Sequence, residues 1–455
     1  MAIHHASIKR STFRGFTIVE LLIVVVVIAI LAAIVVVSYN GITRAAAETS
    51  LKSDLRNSSS LIEATKAESG SATYPTIPSE AKLAKSQDNT VTYISKPYGY
   101  CISGVNARTN KTFVIKSATK VISEGNCDVA VTTVAGSTSG YLDGTGTAAQ
   151  FAAPSGIAAG TDGTLYVSDK GNKRIRQIST DGTVSLLSGT GASGQTNGSA
   201  ATSQFNQPGK LTLDSAGTLY VSDNTNHLVR KIDTSTGATS PFAGIGGVCN
   251  FGRGGLTDGS SAVAKLDGPV DIASDSNGTF YIAENFSNRI RAVQPNGTVS
   301  TYAGSGALNS CLASSAANGS GNGDRLSATF SSMTDILVDK NDTIYVSESP
   351  NNDIRTISKD GTVSTFTSSL TGALQPKAMV MDNQGTIYSA GNHGIYSITS
   401  AGVVALVAGS VSFGYADGSA SAARFNTIGD ISLSNDQTAL YIADTANNRI
   451  RKLSL

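Results

Sequence analysis

The sequence predicts two structural classes in one chain. An α+β N-terminal region consists of a long apolar helix and a small antiparallel sheet, and an all-β propeller of six four-stranded blades follows it. Three observations predict this: an apolar segment runs from Phe16 to Val37, a β-like phrase around a tyrosine recurs six times after residue 129, and Gly accounts for 47 of 455 residues while only 15% are charged. Many glycines and few charges are typical of turn-rich β structure.

The overall charge excludes some functions. Lys and Arg total 34 against 33 for Asp and Glu, so the sequence predicts no nucleic-acid partner. Only four histidines are present, and His4 and His5 lie in the first five residues. We therefore expect no metal site, no cofactor and no histidine-based catalysis.

The first element is a membrane helix at 16–39 after a leader at 1–15. The leader carries Lys9, Arg10 and Arg14, and the apolar run of 22 residues that follows it would span roughly 33 Å, enough to cross a bilayer core. Positive charge on its N-terminal side places the leader in the cytoplasm and the rest of the chain outside. We expect a single-pass membrane protein before assembly, and a pilus or cell-surface location afterwards.

Residues 14–34, RGFTIVELLIVVVVIAILAAI, resemble the type IV prepilin signal. The resemblance implies that a prepilin peptidase cleaves after Gly15 and that Phe16 becomes the N-methylated first residue. It also implies that Glu20 pairs with the N-terminal amine of a neighbouring pilin subunit, since a carboxylate near lipid is costly without a partner. A plain signal anchor is the alternative.

The second element, 40–128, is a predicted headgroup. A break at Asn40-Gly41 precedes a helix over 42–68, and strands follow at 91–94, 98–103, 112–116 and, more weakly, 120–122. This order is similar to a pilin or pseudopilin headgroup. Outside the cell Cys101 and Cys127 can form a disulfide, and the pilin resemblance supports that pairing; two unpaired thiols are the alternative.

The third element, 129–455, is the repeat region. The recurring phrase, GTLYVSD in its first two copies, is centred on Tyr166, Tyr220, Tyr281, Tyr345, Tyr388 and Tyr441. Each copy lies second among four strand-like runs joined by turn sequences such as TDG and SNG. Four short strands per unit indicate a propeller blade, and six units indicate six blades.

The two ends of the repeat region predict how the ring closes. The last unit ends at Leu455 after its third strand, and 129–136, VAVTTVAG, reads as the missing fourth strand. We therefore expect this N-terminal strand to complete the last blade and remove an open edge. The phrases, particularly D-x-x-N-x-R-I-R, resemble NHL repeats, which build six-bladed propellers. The fifth unit departs from the pattern at 391–394, so we expect a shortened blade there.

Five units carry an acid with an Arg seven residues later. The pairs are Asp169/Arg176, Asp223/Arg230, Glu284/Arg291, Glu348/Arg355 and Asp444/Arg451. They could form a ring of ligand-binding charges near the channel or ion pairs that tie the second strand of each blade to the third. Repetition in every regular unit favours the framework interpretation.

The long segments between blades are where binding specificity is expected. The two longest hold Cys249 and Cys311. These cysteines occupy nearly equivalent points of successive blades, so we expect them to form a disulfide after export, with two free thiols as the alternative.

Together these features predict a type IV pilin-like subunit, minor or tip-type, that displays a propeller for adhesion or recognition of an extracellular protein or glycan. We expect no catalytic residues. The alternatives are a non-polymerising pseudopilin or membrane-anchored surface protein, and a tethered lactonase-like metal-dependent hydrolase.

Overall fold

The computed structural model divides the chain into two compact units, Met1–Cys127 and Asp128–Leu455. It describes residues 18–69, 83, 85–86, 88–96, 99–109, 111–116, 122–124, 129–247, 254–305, 319–349, 351–367, 375–410 and 412–455.

The first unit is one helix and one antiparallel sheet. The helix α1 is Ile18–Ser69, and the strands, which pair in the order β1-β2-β3-β4, are β1 Asn89–Lys96, β2 Gly99–Asn106, β3 Thr112–Lys116 and β4 Ile122–Glu124. Leu51, Leu55 and Ile62 of α1 are buried in one core with Ile102 and Phe113 of the sheet. The helix therefore stabilises the sheet by covering its apolar face.

The helix differs from the prediction at Asn40-Gly41. The sequence predicted a break there, but α1 continues through both residues. A Cβ on Gly41 would contact nothing within 4 Å, so this glycine relieves no crowding. An isolated glycine costs a helix only about 1 kcal/mol, which is too little to end a helix with favourable residues on both sides.

The membrane span predicted at 16–39 is not found. Among the residues that the structure describes, no helix is both long enough and apolar enough to cross a bilayer.

The second unit contains six antiparallel sheets, each with four consecutive strands in the order inner to outer. Blade 1 has an edge strand β6 Gly144–Thr145 and the strands β7 Pro154–Ala159, β8 Leu165–Asp169, β9 Arg174–Ile178 and β10 Thr183–Ser188. Blade 2 has β11 Pro208–Leu213, β12 Leu219–Asp223, β13 Leu228–Ile232 and β14 Thr239–Ala243. Blade 3 has an edge strand β15 Gly259–Ser260 and the strands β16 Pro269–Ser274, β17 Phe280–Glu284, β18 Arg289–Val293 and β19 Thr298–Ala303.

The remaining three blades repeat this order. Blade 4 has an edge strand β20 Gly323–Asp324 and the strands β21 Met333–Val338, β22 Ile344–Glu348, β23 Asp353–Ile357 and β24 Thr362–Thr367. Blade 5 has β25 Ala378–Met381, β26 Ile387–Ala390, β27 Gly394–Ile398 and β28 Val404–Gly409. Blade 6 has an edge strand β29 Gly418–Ser419 and the strands β30 Ile428–Leu433, β31 Ala439–Asp444 and β32 Arg449–Ser454, and it is completed by β5 Ala130–Ala135.

The six innermost strands form a closed ring. Each of β7, β11, β16, β21, β25 and β30 contacts the next, and β30 contacts β7. The last contact includes hydrogen bonds from Ile157 N to Asp430 Oδ2 (2.9 Å) and from Ala159 N to Ser432 Oγ (3.0 Å). The second unit is therefore a six-bladed propeller.

The N-terminal strand closes this ring as the sequence predicted. β5 pairs antiparallel with β32, with Val131 opposite Leu453 and Ala135 opposite Ile450. Val131 is fully buried in a core shared with Phe425 and Leu440. The fourth strand of blade 6 thus comes from the other end of the propeller sequence.

Two details of the blades differ from or refine the prediction. Blades 1, 3, 4 and 6 each gain a two-residue fifth strand at the outer edge, whereas four strands were predicted. Such strands are too short to give an alternating pattern. In blade 5, β25 and β26 have four residues each, in keeping with the expected shortening.

Candidate functional face and channel

The predicted processing and assembly residues lie at the edge of what the structure describes. Gly15 and Phe16 lie outside the described residues. Glu20 lies in the first turn of α1, and its side chain is not described.

Of the four predicted disulfide cysteines, the structure describes Cys101. It is fully buried on β2 and disulfide-bonded. Its predicted partner Cys127 lies outside the described residues, and so do Cys249 and Cys311. The pairing of all four cysteines stays a prediction.

The five predicted acid–arginine pairs are ion pairs between fully buried side chains. The N–O distances are 3.1 Å for Arg176–Asp169, 3.0 Å for Arg230–Asp223, 3.3 Å for Arg291–Glu284, 3.0 Å for Arg355–Glu348 and 2.8 Å for Arg451–Asp444. Side chains without solvent exposure cannot contact a ligand in the channel. The geometry therefore gives these pairs a framework role within each blade.

Blade 2 shows what each arginine holds together. Arg230 Nη1 donates to Asp223 Oδ2 and to the carbonyl of Gln204 (2.8 Å), Nη2 donates to the carbonyl of Thr196 (2.7 Å), and Nε donates to Asn197 Oδ1 (2.9 Å). The guanidinium thus fixes the segment that leads into the blade. Burial raises the pKa of Asp223 to about 6, although hydrogen bonds and Arg230 oppose the shift.

The sequence missed a charged cluster at the centre of the ring, which we call the hub. The hub consists of Lys210 on β11, Asp271 on β16, Asp335 on β21 and Asp430 on β30, and each residue is at most 7% exposed. Lys210 Nζ donates to Asp430 Oδ1 (3.0 Å) and to Asp335 Oδ2. One ammonium group therefore joins blades 2, 4 and 6.

The hub carboxylates also hold the neighbouring blades through backbone N–H groups. Asp271 accepts from Ile336 N (3.1 Å), Asp335 accepts from Met379 N (2.7 Å), and Asp430 accepts from Ile157 N (2.9 Å). These bonds run from blades 3, 4 and 6 to blades 4, 5 and 1. Together with Lys210, the hub therefore connects all six blades.

The hub shifts the proton affinities of its members. Burial raises the pKa of Asp271 well above its usual range, and the charge of Asp335 raises it further. Burial also raises the pKa of Asp430 to about 6, while Lys210 opposes the shift. Burial acts to lower the pKa of Lys210, but the charges of Asp335, Asp430 and Asp271 outweigh it and raise the pKa. The hub therefore favours a retained proton on its carboxylates and a charged Lys210.

A signal for the hub is present in the sequence. The third position of the first strand in blades 1 to 6 reads Gly156, Lys210, Asp271, Asp335, Ala378 and Asp430. Charges in otherwise apolar strands, at a position that differs from blade to blade, mark an asymmetric cluster. The sequence analysis had treated these strands only as apolar runs.

The predicted specificity loops lie on one face of the propeller, here called the loop face. Because neighbouring strands are antiparallel, each interblade loop ends where the turn between the second and third strands lies. Hydrogen bonds join the two: Asn226 Nδ2 donates to the carbonyl of Gly194 (2.7 Å) in blade 2.

The loop-face side of blades 2 and 3 contains a cavity of about 390 Å³. Residues lining it include Gln195, Asn197, Pro241, Phe242, Ile245 and Ser261. The lining holds no charged side chain, so it can select by shape and by amide hydrogen bonds. Within the described residues, no group of three or more His, Cys, Asp or Glu is arranged to hold a metal ion.

Three family models match parts of this chain. The prokaryotic N-terminal methylation motif matches 10–36, the NHL repeat matches 151–178 and 205–232, and the teneurin NHL domain matches 242–358.

Two similar proteins align with the propeller repeats over limited lengths. Protein SUPPRESSOR OF QUENCHING 1, chloroplastic, of Arabidopsis thaliana is 32% identical over 22% of this chain, and Teneurin-3 of Mus musculus is 32% identical over 38% of it. The alignments cover 10% and 6% of those two proteins. A solved structure of a Bacteroides thetaiotaomicron protein of unknown function has a TM-score of 0.54 and 18% identity, covering 80% of this chain and 87% of its own. That likeness supports the fold alone.

Proposed function

Because the chain carries a prokaryotic N-terminal methylation motif ahead of NHL repeats, we propose that it is a type IV pilin-like subunit that displays a propeller outside the cell. Its work is adhesion or recognition of an extracellular protein or glycan. The observation that carries the proposal is the motif at 10–36, which runs directly into the helix Ile18–Ser69.

The geometry of the first unit supports this proposal. The later turns of α1 pack on a four-stranded antiparallel sheet through Leu51, Leu55 and Ile62. Earlier in the helix, apolar side chains such as Leu22, Val25 and Ile28 are more than half exposed. A helix that is apolar where it lacks a sheet suits a surface covered by lipid before assembly and by other pilin subunits afterwards.

The size of the propeller favours a minor or tip-type subunit. Residues 129–455 form most of the chain, and a head of this size would obstruct close packing along a major filament. A non-polymerising pseudopilin or a membrane-anchored surface protein is the alternative form of the proposal.

Processing is the first test. Replacing Gly15 by a bulky residue, in Gly15→Leu, is expected to leave a precursor heavier by the leader, because the peptidase must accept a small side chain at the cleavage site. Intact-mass measurement of membrane fractions reads this directly. Gly41→Leu, a change outside the motif, serves as the control and is expected to mature. Normal cleavage of the Gly15 variant would contradict the prepilin assignment.

Assembly is the second test. Glu20→Ala is expected to be cleaved normally but to be depleted in sheared filaments, since a carboxylate in an apolar segment is tolerated when a neighbouring amine offsets its charge. Glu48→Ala is the matched control, because Glu48 lies on the same helix but pairs with Lys111 at 3.1 Å. Mass spectrometry of the sheared fraction compares the two. Wild-type amounts of the Glu20 variant, or no subunit in filaments at all, would favour a non-polymerising surface protein.

We propose further that the propeller is a binding module and not an enzyme. The three carboxylates that converge on its axis are matched by Lys210, which lies within hydrogen-bond distance of two of them. Incubating the purified chain with lactones, with and without added calcium or zinc, tests this. Metal-dependent turnover abolished by Asp335→Asn would support the hydrolase instead.

A further inference from the structure

The loop face is not equivalent all round the ring. We define the basic sector as the loops 136–153 and 409–427 with the turns 169–176 and 444–451, which belong to the neighbouring blades 1 and 6. It contains seven Lys and Arg residues against four Asp residues, namely Lys170, Lys173, Arg174, Arg176, Arg424, Arg449 and Arg451 against Asp143, Asp169, Asp417 and Asp444. The equivalent segments of blade 2, 189–207 and 223–230, contain only Asp223 and Arg230. Positive charge is thus concentrated on one side of a nearly neutral chain.

Two tyrosines occupy the same structural position in this sector. Tyr141 is 40% exposed and Tyr415 is 45% exposed. The guanidinium carbon of Arg174 lies 4.0 Å from the ring centre of Tyr141, and that of Arg449 lies 4.0 Å from the ring centre of Tyr415. Gln195 takes this position in blade 2. The pair of exposed rings therefore distinguishes blades 1 and 6 from the repeated framework.

Both tyrosines are held in place by the framework. Asn172 Nδ2 donates to the carbonyl of Gly140, one residue before Tyr141, and Asn447 Nδ2 donates to the carbonyl of Gly414, one residue before Tyr415; both distances are 2.7 Å. The hydroxyl of Tyr415 also lies 3.0 Å from Thr133 Oγ1. Binding would therefore require little ordering of these side chains, which preserves affinity.

The two positions lie within reach of one extended ligand. A Cβ on Gly136 would lie 3.1 Å from the Cα of Arg449, and Arg449 packs on Tyr415. Tyr141 follows Gly136 by five residues, so its Cα lies within about 20 Å of Arg449. A linear chain of a few sugar rings can contact both tyrosines.

We propose that the basic sector binds an acidic glycan, with Tyr141 and Tyr415 stacking on sugar rings and the surrounding cations binding their carboxylates. Tyrosine offers a rigid apolar face with a polar edge, which suits the apolar face and hydroxyl rim of a sugar. Arginine and lysine form charge-assisted hydrogen bonds with carboxylates. This inference rests on the proposed recognition function and names its ligand class.

The test uses the purified full chain in detergent, with tetragalacturonate as the acidic probe and its methyl ester as the neutral one. We expect saturable binding of the acid that weakens as salt rises, and binding of the ester at least tenfold weaker. Tyr141→Ala combined with Tyr415→Ala is expected to weaken binding of the acid at least tenfold, whereas the Tyr→Phe pair retains it. Lys170→Gln with Lys173→Gln is expected to reduce the salt dependence.

Phe286→Ala is the matched control, because Phe286 is a 39% exposed aromatic residue in the corresponding turn of blade 3, across the ring from blade 6. It is expected to bind the probe like the wild type. The melting temperature of every variant is measured alongside, so that a loss of binding with an unchanged melting temperature supports the site.

Four results would overturn the inference: no binding of the acid, equal binding of acid and ester, loss of binding only together with a lowered melting temperature, or tighter tyrosine-dependent binding of an oligouridylate of equal charge. These outcomes are independent of the filament measurements. A chain that assembles into filaments but fails here would retain the proposed function and lose this ligand class.

Discussion

Fully buried arginines are the most demanding residues of the propeller. Each of the five meets an acid from the adjacent strand and carbonyls of the segment leading into its blade, as Arg230 does with Asp223, Gln204 and Thr196. Desolvating a guanidinium is costly, and the cost is offset only while every partner is present. The sequence could predict these pairs because the same spacing recurs in five units.

Removing one of these arginines should destabilise the propeller strongly. Arg230→Ala leaves Asp223 buried and unpaired, and we expect the free energy of unfolding to fall by about 3–5 kcal/mol. Lys231→Ala, next to it on the same strand but exposed, is expected to change it by less than about 0.5 kcal/mol. Denaturant titration followed by tyrosine fluorescence measures both. Similar midpoints for the two variants would contradict the framework role.

The hub could not be predicted in the same way, because its members share no residue type and no local motif. Lys210 and Asp430 are 220 positions apart, and their contact depends on the closure of the ring. Tyr141 and Tyr415 escaped notice for a related reason, since their equivalence emerges once the loops are aligned on Asn172 and Asn447.

At the scale of elements, β5 carries the clearest agreement between sequence and structure. Its pattern of apolar residues and the missing fourth strand of the last unit both predicted its pairing with β32. The two-residue edge strands and the uninterrupted path of α1 through Gly41 were not predicted, because neither depends on a hydrophobic period. Short edge pairing and a tolerated glycine are decided by small energies that pattern analysis cannot resolve.

Closure by β5 can be tested with two neighbouring substitutions. Val131→Asp places a charge in a fully buried position of blade 6, and we expect the free energy of unfolding to fall by about 3 kcal/mol or more. Thr132→Asp changes the next residue, which is exposed on the same strand, and should be nearly neutral. Thermal unfolding of the two full-length variants gives the comparison. Equal melting temperatures would mean that β5 does not seal the ring.

At the scale of the whole molecule, the hub makes stability depend on pH. The folded-state pKa of Asp430 is about 6, above its ordinary value of 3.8, so the folded protein binds a proton more tightly than the unfolded chain. The stabilisation from this proton is complete below about pH 4 and is lost as pH rises through about 6. Lys210, Asp271 and Asp335 are the charged groups around Asp430.

We therefore expect the wild-type propeller to lose stability between about pH 5 and about pH 7, and Asp430→Asn to lose less over the same range. One proton accounts for up to about 1.4 kcal/mol per pH unit. Asp360→Asn is the control: Asp360 is exposed and hydrogen bonds from Ser358 and Thr362 lower its pKa, so its removal should leave the decline in place. Urea titrations at several pH values provide the slopes. Identical slopes for wild type and Asp430→Asn would remove the hub from this account.

The position of β5 also has a mechanical consequence. The chain enters the propeller at Ala130, and β5 runs from the face opposite the loops toward the loop face, antiparallel to β32. If a cell pulls on the N-terminal helix while the loop face holds a target, the tension acts along β5. The hydrogen bonds between β5 and β32 then resist together in shear instead of opening one after another. A strand that completes the ring would thus also be the tether through which an attached cell bears load.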